Sequence, residues 1–219
     1  MKVGLLLGAF LLAAPLPAQQ ITFTFENPKL QPARYVVTVR ADGSGHYRSE
    51  LGPAAPPSTD AANANPPADP QDRDIHVSKA LRDSMFAAAH KSKFFAGSCD
   101  DAGKGVAFQG TKTLAYEGPD GQGSCTFNWS KNAQIDKLVD QVQSMVLTLD
   151  EGSKLQRQYE HGRLSLDTEI EFLVQMVHEG RATELENIAP ILKTLVSDDA
   201  VLKRVQRHAQ ELLTAAKTD

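Results

Sequence analysis

The sequence predicts an α+β fold: an antiparallel β-sheet packed against two helices, followed by a small C-terminal helical bundle. Three observations carry that expectation. Short runs in the first half alternate apolar and polar residues, the period of a half-buried strand. A long run after Asn132 repeats its apolar residues every three or four positions, as an amphipathic helix does. From Leu166 onward every apolar stripe has the helical period and the connections are short, which favours antiparallel packing.

The elements follow in order. "ITFTF", residues 21 to 25, reads as a strand. In "ARYVVTVRADGSGHYRSEL", Tyr35, Val37 and Val39 point one way, and Val36, Thr38 and Arg40 the other. The two glycines of "ADGSG" make the turn of a hairpin whose second strand is "HYRSEL". Residues 52 to 71 hold six of the twelve prolines and no large apolar residue. Such a segment cannot bury enough surface to offset its ordering entropy, so it reads as a disordered loop inside one domain. "DIHVS" suggests a short strand, with Ser78 as the N-cap of a helix from Lys79 to Lys93. Leu81, Met85, Ala88 and Ala89 form its stripe, and Phe94 and Phe95 are expected to pack into the core.

"KGVAFQG" and "TKTLAYEG" read as strands, "PDGQG" as a turn and "SCTFNW" as the returning strand, with Cys125, Phe127 and Trp129 on one face. Asn132 caps the long helix, whose stripe of Ile135, Leu138, Val139, Val142, Met145, Val146 and Leu149 can cover a sheet face. Gly152 is expected to interrupt it, with Leu155 and Tyr159 in a second piece. Ile170, Leu173, Val174 and Val177 form the next stripe. Pro190 should kink or split the one built from Leu185, Ile188, Leu192 and Leu195. Asp198 or Asp199 caps a last helix with Val201, Leu202, Val205, Ala209 and Leu212 facing inward.

The start of the chain reads as a secretory signal peptide, residues 1 to 18. Lys2 supplies the charge, Val3 to Ala14 the apolar run, and Pro15, Pro17 and Ala18 the break before cleavage. Three parts follow from this: the signal, an α+β domain over 19 to 151 carrying the loop at 52 to 71, and a helical region over 152 to 219. The expected compartment is the periplasm or the medium, with no membrane span after cleavage. The net charge of −4 and the lack of a basic face argue against nucleic acid as a partner.

The two cysteines, Cys99 and Cys125, bear on the chemistry. An even count in an oxidising compartment favours a disulfide. A zinc site needs two more ligands at suitable spacing, and a thioredoxin-like pair needs its sulfurs closer in sequence. The six histidines, at 46, 76, 90, 161, 178 and 208, are scattered. His178-Glu179 lacks the second histidine one turn away that a metalloprotease uses. No Gly-x-Ser-x-Gly elbow occurs. "DDAGKG", Asp100 to Gly105, has adjacent acids where an EF-hand spaces them alternately, so a turn is the better reading. The acids from Asp167 to Glu186 read as solvated helix faces.

The hairpin "YVVTVRADGSGHYRSE", the helix ending in "KFF", and "VAFQGTKTLAYEG" with "SCTFNWS" before a helix resemble uncharacterised exported bacterial proteins that share a β-hairpin domain of unknown function. The resemblance covers roughly residues 30 to 150. It implies a fold and no activity. Members often carry a Cys-x-x-Cys-Pro-x-Tyr patch before the hairpin; "KLQPARYVV" keeps Pro32 and Tyr35 without the cysteines, so no role of that patch carries over. The functional expectation is a non-catalytic exported protein that works through contacts with a protein or small-molecule partner, with no catalytic, cofactor-binding or metal residue assigned. The rival expectations are a hydrolase built from dispersed histidines and acids, and a carrier of a small apolar ligand.

Overall fold

The computed structural model describes residues 19–53, 69–99 and 106–217. The signal segment, residues 54 to 68 of the loop and Asp100 to Gly105 lie outside them. The strands are β1 (Gln20–Glu26), β2 (Arg34–Arg40), β3 (Ser44–Glu50), β4 (Asp72–His76), β5 (Thr111–Gly118) and β6 (Gly121–Phe127). The helices are α1 (Lys79–Lys91), α2 (Ala133–His161), α3 (Leu166–His178), α4 (Ala189–Ser197) and α5 (Lys203–Ala215). This is the α+β architecture expected. The strands form one antiparallel sheet in the order β4-β3-β2-β1-β5-β6.

Strand alternation places Ile21, Phe23, Phe25, Val37, Val39, Tyr47, Ile75 and Leu114 on a buried inner face. One core joins that face to α1 and to α2 as far as Leu149. A second core joins Leu155, on the last turns of α2, to α3, α4 and α5. The outer face carries short polar side chains in register. One cross-strand row runs Asp74, His46, Thr38, Thr22, Ala115, Ser124. No helix among the described residues is long and apolar enough to cross a membrane.

Several local expectations are corrected. Residues 106 to 110 of "KGVAFQG" are not strand; the ladder begins at Thr111. β6 begins at Gly121, because Gly121 and Gly123 lie beneath the segment after α1: a Cβ at 123 would stand 2.5 Å from the Phe94 carbonyl oxygen. The strand ends at Phe127, which leaves Trp129 beyond it. α1 stops at Lys91, and Lys93, Phe94 and Phe95 all take left-handed backbone, with φ of 52, 60 and 62°. Phe95 is buried there, whereas Phe94 is only partly so and stacks on Tyr116 at 4.8 Å. Leu202 faces outward, 63% exposed, as the N-cap of α5. Asp198 instead accepts the Ala200 N–H in the turn before it.

Gly152 does not interrupt α2, which runs unbroken to His161. The missing Cβ serves packing, since one built there would lie 2.2 Å from Ile188 Cγ2. Pro190 splits its region as expected: a 3₁₀ turn over Leu185–Ile188 gives way to α4 at Ala189. Gln71 is not loop either. It is buried, and Ser49 N–H donates to its carbonyl at 2.9 Å, which extends the β3–β4 pairing by one residue. Its place at the end of a Pro-rich run is what made it read as loop in the sequence.

The 3₁₀ turn docks the helical region on the free edge of β4. Asn187 behaves like a residue of a neighbouring strand: its Oδ1 accepts His76 N–H at 2.9 Å and its Nδ2 donates to the His76 carbonyl at 2.8 Å. An edge strand covered in this way is closed to further pairing. Beside it, Ser78 caps α1 and accepts Leu81 N–H through Oγ at 3.2 Å. A capping box would take its carboxylate from the third helical residue, which here is Leu81. Glu184 supplies it from across the joint, accepting both Ser78 N–H and Ser78 O–H at 2.6 Å. Glu184 is therefore buried rather than solvated, and holds left-handed backbone at φ 60° to reach the cap.

Candidate functional site

The concave places differ in what their polar groups need. A trough of about 320 Å³ on the outer face lies over Thr22, Ala115 and Ser124, and its one carboxylate, Glu117, already accepts from Gln20 Nε2 at 3.1 Å. A depression of about 220 Å³ beside the start of α2 is lined by Ser92, Cys99, Ser130 and Lys131. Ser92 Oγ lacks a partner there, but Lys131 is already engaged. A third cleft, about 210 Å³, sits at the joint between β4, α2 and the turn before α4. Gln71, Arg73, Ser153, Gln156 and Asn187 supply its polar lining; Gly152, Ile188, Pro190 and Ile191 supply the apolar wall.

Among the described residues, the third cleft combines a cation without an anion and a buried acceptor without a donor. Arg73 is in phase with Gln71 and Ile75 and so points to the helix side of β4. It is half-buried and donates through Nη2 to the Asn187 carbonyl. Among the described residues no carboxylate lies within 4.0 Å of it. Burial pulls its pKa below the ordinary guanidinium value, yet arginine remains charged in proteins. Gln71 donates through Nε2 to Asp150 Oδ1 at 2.8 Å, and its Oε1 is buried with no hydrogen-bond partner. Buried polar groups are nearly always paired, so an exception calls for a cause.

Behind the cleft lies a polar inclusion in the core. Asp150 Oδ1 also accepts the Tyr47 O–H at 2.9 Å. Burial is the main force on this carboxyl and pushes it up to about 6, against the pull of Tyr47, Lys154 and Gln71. Burial and then Asp150 raise the Tyr47 hydroxyl far above its ordinary value, so it stays protonated and donating. One residue along, Glu151 is buried and accepts from Lys154 at 2.6 Å; burial raises it as well, and Glu169 adds to the rise.

The sign of the Asp150 effect is testable. A carboxyl raised in the folded state adds stability below its unfolded pKa, near 3.8, and that stability is lost as pH rises through about 6. Asp150→Asn keeps an oxygen for Tyr47 and Gln71 and removes the charge. The variant will be more stable than the parent at pH 7, by on the order of 1–2 kcal/mol. Its melting temperature will fall less between pH 4 and pH 6, the remainder coming from Glu151, which burial also raises. Equilibrium unfolding across that range checks both.

Two histidines, His178 and His208, meet at one carboxylate, and the other four stay apart. His46 Nε2 lies 2.9 Å from Asp72 and Nδ1 3.0 Å from Asp74. Asp74 first, then Asp72, raises its pKa. His178 pairs with Glu211 at 3.0 Å rather than with neighbouring Glu179, and His208 approaches the same carboxylate at 3.5 Å. His90 stands 3.6 Å from Asp120, which also accepts the Tyr116 O–H. His161 is 3.7 Å from Glu160, and His76 carries the backbone contacts to Asn187. None of the three concavities is lined by a histidine. No group of three or more His, Cys, Asp or Glu among the described residues is placed to hold a metal ion. Cys99 and Cys125 are bonded to each other, with Cα atoms 5.6 Å apart. In the acidic stretch, Asp167 pairs with Arg204 and Glu179 with Arg181.

Sequence reading did not single out Tyr47, Gln71, Arg73 or Asp150. Two signals were present. Asp150 stands four residues after Val146 and eight after Val142, on the stripe that α2 buries. Arg73 alternates in phase with Ile75. No protein-family model matches the chain, and no curated protein matches it.

Proposed function

We propose that this chain is a non-catalytic exported binding protein whose ligand contact is the cleft between β4, α2 and the turn before α4. One observation carries the reading: Arg73, a half-buried guanidinium without a carboxylate partner among the described residues, lines that cleft. Withdrawing a cation from water is unfavourable unless an anion meets it. An arginine fork suits a carboxylate, which accepts two parallel N–H bonds. The cleft sits where two cores meet, a common place for small-ligand sites. The apolar wall also fits the expected carrier of a small apolar molecule, but such a ligand alone leaves Arg73 unmet.

Heat denaturation tests the reading. In chloride buffer, short-chain carboxylates at about 10 mM will raise the melting temperature of the parent and leave Arg73→Gln unchanged, since a ligand that binds only the folded state stabilises it. If no carboxylate shifts the parent, or all shift both proteins equally, the cleft is not the contact.

A further inference from the structure

The cleft makes two demands of opposite sense. Arg73 already donates to the Asn187 carbonyl, but among the described residues its charge has no anion beside it. Gln71 Oε1 has lone pairs and needs a donor. The orientation of the Gln71 amide is set by its neighbour: Asp150 accepts from Tyr47 and from Gln71, and only the NH₂ end of the amide can face a carboxylate. That bond also polarises the amide and makes Oε1 a stronger acceptor. Gln71 is 9% exposed and lines both this cleft and an open depression beside Arg48, Glu50 and Pro70, so a donor reaches Oε1 through one of these two concavities.

Geometry places both demands within one small molecule. Gln71 and Arg73 are two residues apart on one face of the chain, which puts their Cα atoms about 7 Å apart. The cleft volume of about 210 Å³ equals the share of roughly seven waters at about 30 Å³ each. That admits a ligand of about seven or eight non-hydrogen atoms. Ile188, Pro190 and Ile191 line the same cleft as the polar pair and offer contact to a short aliphatic chain.

We infer that the ligand is a small α-amino or α-hydroxy acid with a short aliphatic side chain: its carboxylate lies on Arg73, its α-ammonium or α-hydroxyl donates to Gln71 Oε1, and its side chain lies on Ile188 and Pro190. This rests on the cleft being a carboxylate site and adds the donor and the size. A carboxylate alone leaves Oε1 unmet, and an amine alone leaves Arg73 unmet. A charged or strongly polar side chain finds no partner on the apolar wall.

Calorimetric titration of the full chain with four probes tests it: L-valine, 2-hydroxy-3-methylbutanoate, 3-methylbutanoate and 2-methylpropylamine. At least one of the first two will bind. 3-Methylbutanoate, which keeps the carboxylate and lacks the α-donor, will bind about tenfold to a hundredfold more weakly, the equivalent of one hydrogen bond to a buried acceptor. The amine will not bind. Gln71→Met will lower the affinity of the tighter acid by a much larger factor than that of 3-methylbutanoate, and equal losses for both would overturn the donor inference. Preference for valine assigns an ammonium, and preference for the hydroxy acid assigns a hydroxyl. If 3-methylbutanoate binds the parent as tightly as both α-substituted acids, and Arg73→Gln abolishes its binding, the donor inference is wrong and the carboxylate site stands. If none of the three acids binds in a way that Arg73→Gln removes, both fall. The probe series on the parent decides the matter even if a variant fails to fold.

Discussion

Cys99→Ala with Cys125→Ala lowers the free energy of unfolding by about 3.5 kcal/mol, the chain-entropy value for a loop of this length. The bond spans 26 positions. It also holds a segment that is unfavourable by itself. Lys93, Phe94 and Phe95 take left-handed backbone in succession, at roughly 1–2 kcal/mol for each residue. Phe95 in the core, the stacking of Phe94 on Tyr116 and the link from Cys99 to β6 oppose that tendency. Without the link the segment opens locally before the sheet does. Two measurements follow. Denaturant unfolding reads the global loss, and hydrogen exchange reads faster exchange at the Phe95, Ala96 and Gly97 amides, each bonded within the turn. A double variant with the stability of the parent would show that side-chain packing alone holds the segment.

The elements that could be read from the sequence owe their legibility to period. β1 and β2 alternate because one face is buried and the other is wet, and β3 is legible as the return strand after the Gly-rich turn. The stripe of α2 is legible for the same reason. The disulfide between Cys99 and Cys125 is what an even cysteine count and an expected oxidising compartment predict. What the sequence hides is long-range compensation. Glu184 looks like one more acid on a solvated helix face, and only the approach of α1 turns it into a cap for Ser78. Gln71 looks like the end of a Pro-rich loop until β3 pairs with it. None of the three left-handed residues after α1 is a glycine; the glycines that make room for them, Gly121 and Gly123, lie on β6. The candidate site was illegible for a related reason. Arg73 stands out only once the structure places no carboxylate beside it, and sequence spacing does not report what is missing across a joint.

Gly152→Ala tests that joint directly, and its sign is opposite to the local rule. Inside a helix alanine is favoured over glycine by about 1 kcal/mol. Here the new Cβ lands 2.2 Å from Ile188 Cγ2 and 2.9 Å from Ile188 Cβ. Neither side can yield easily. α2 is packed into a core on either side of this point. The turn carrying Ile188 is pinned to β4 through Asn187. The substitution will therefore destabilise the protein by about 2–3 kcal/mol, the range for overpacking a tight interior. Ile188→Ala removes the opposing methyl and leaves a cavity of its own, at about 2–5 kcal/mol. The double variant will lose less than the sum of the two single losses, by at least about 1 kcal/mol, because the added methyl partly fills the space vacated. The same substitution narrows the cleft, since Gly152 and Ile188 both line it. A Gly152→Ala protein that is as stable as the parent would mean that α2 and the turn lie further apart than this contact requires. Full additivity with Ile188→Ala would point the same way, and the cleft between them would lose the wall that defines it.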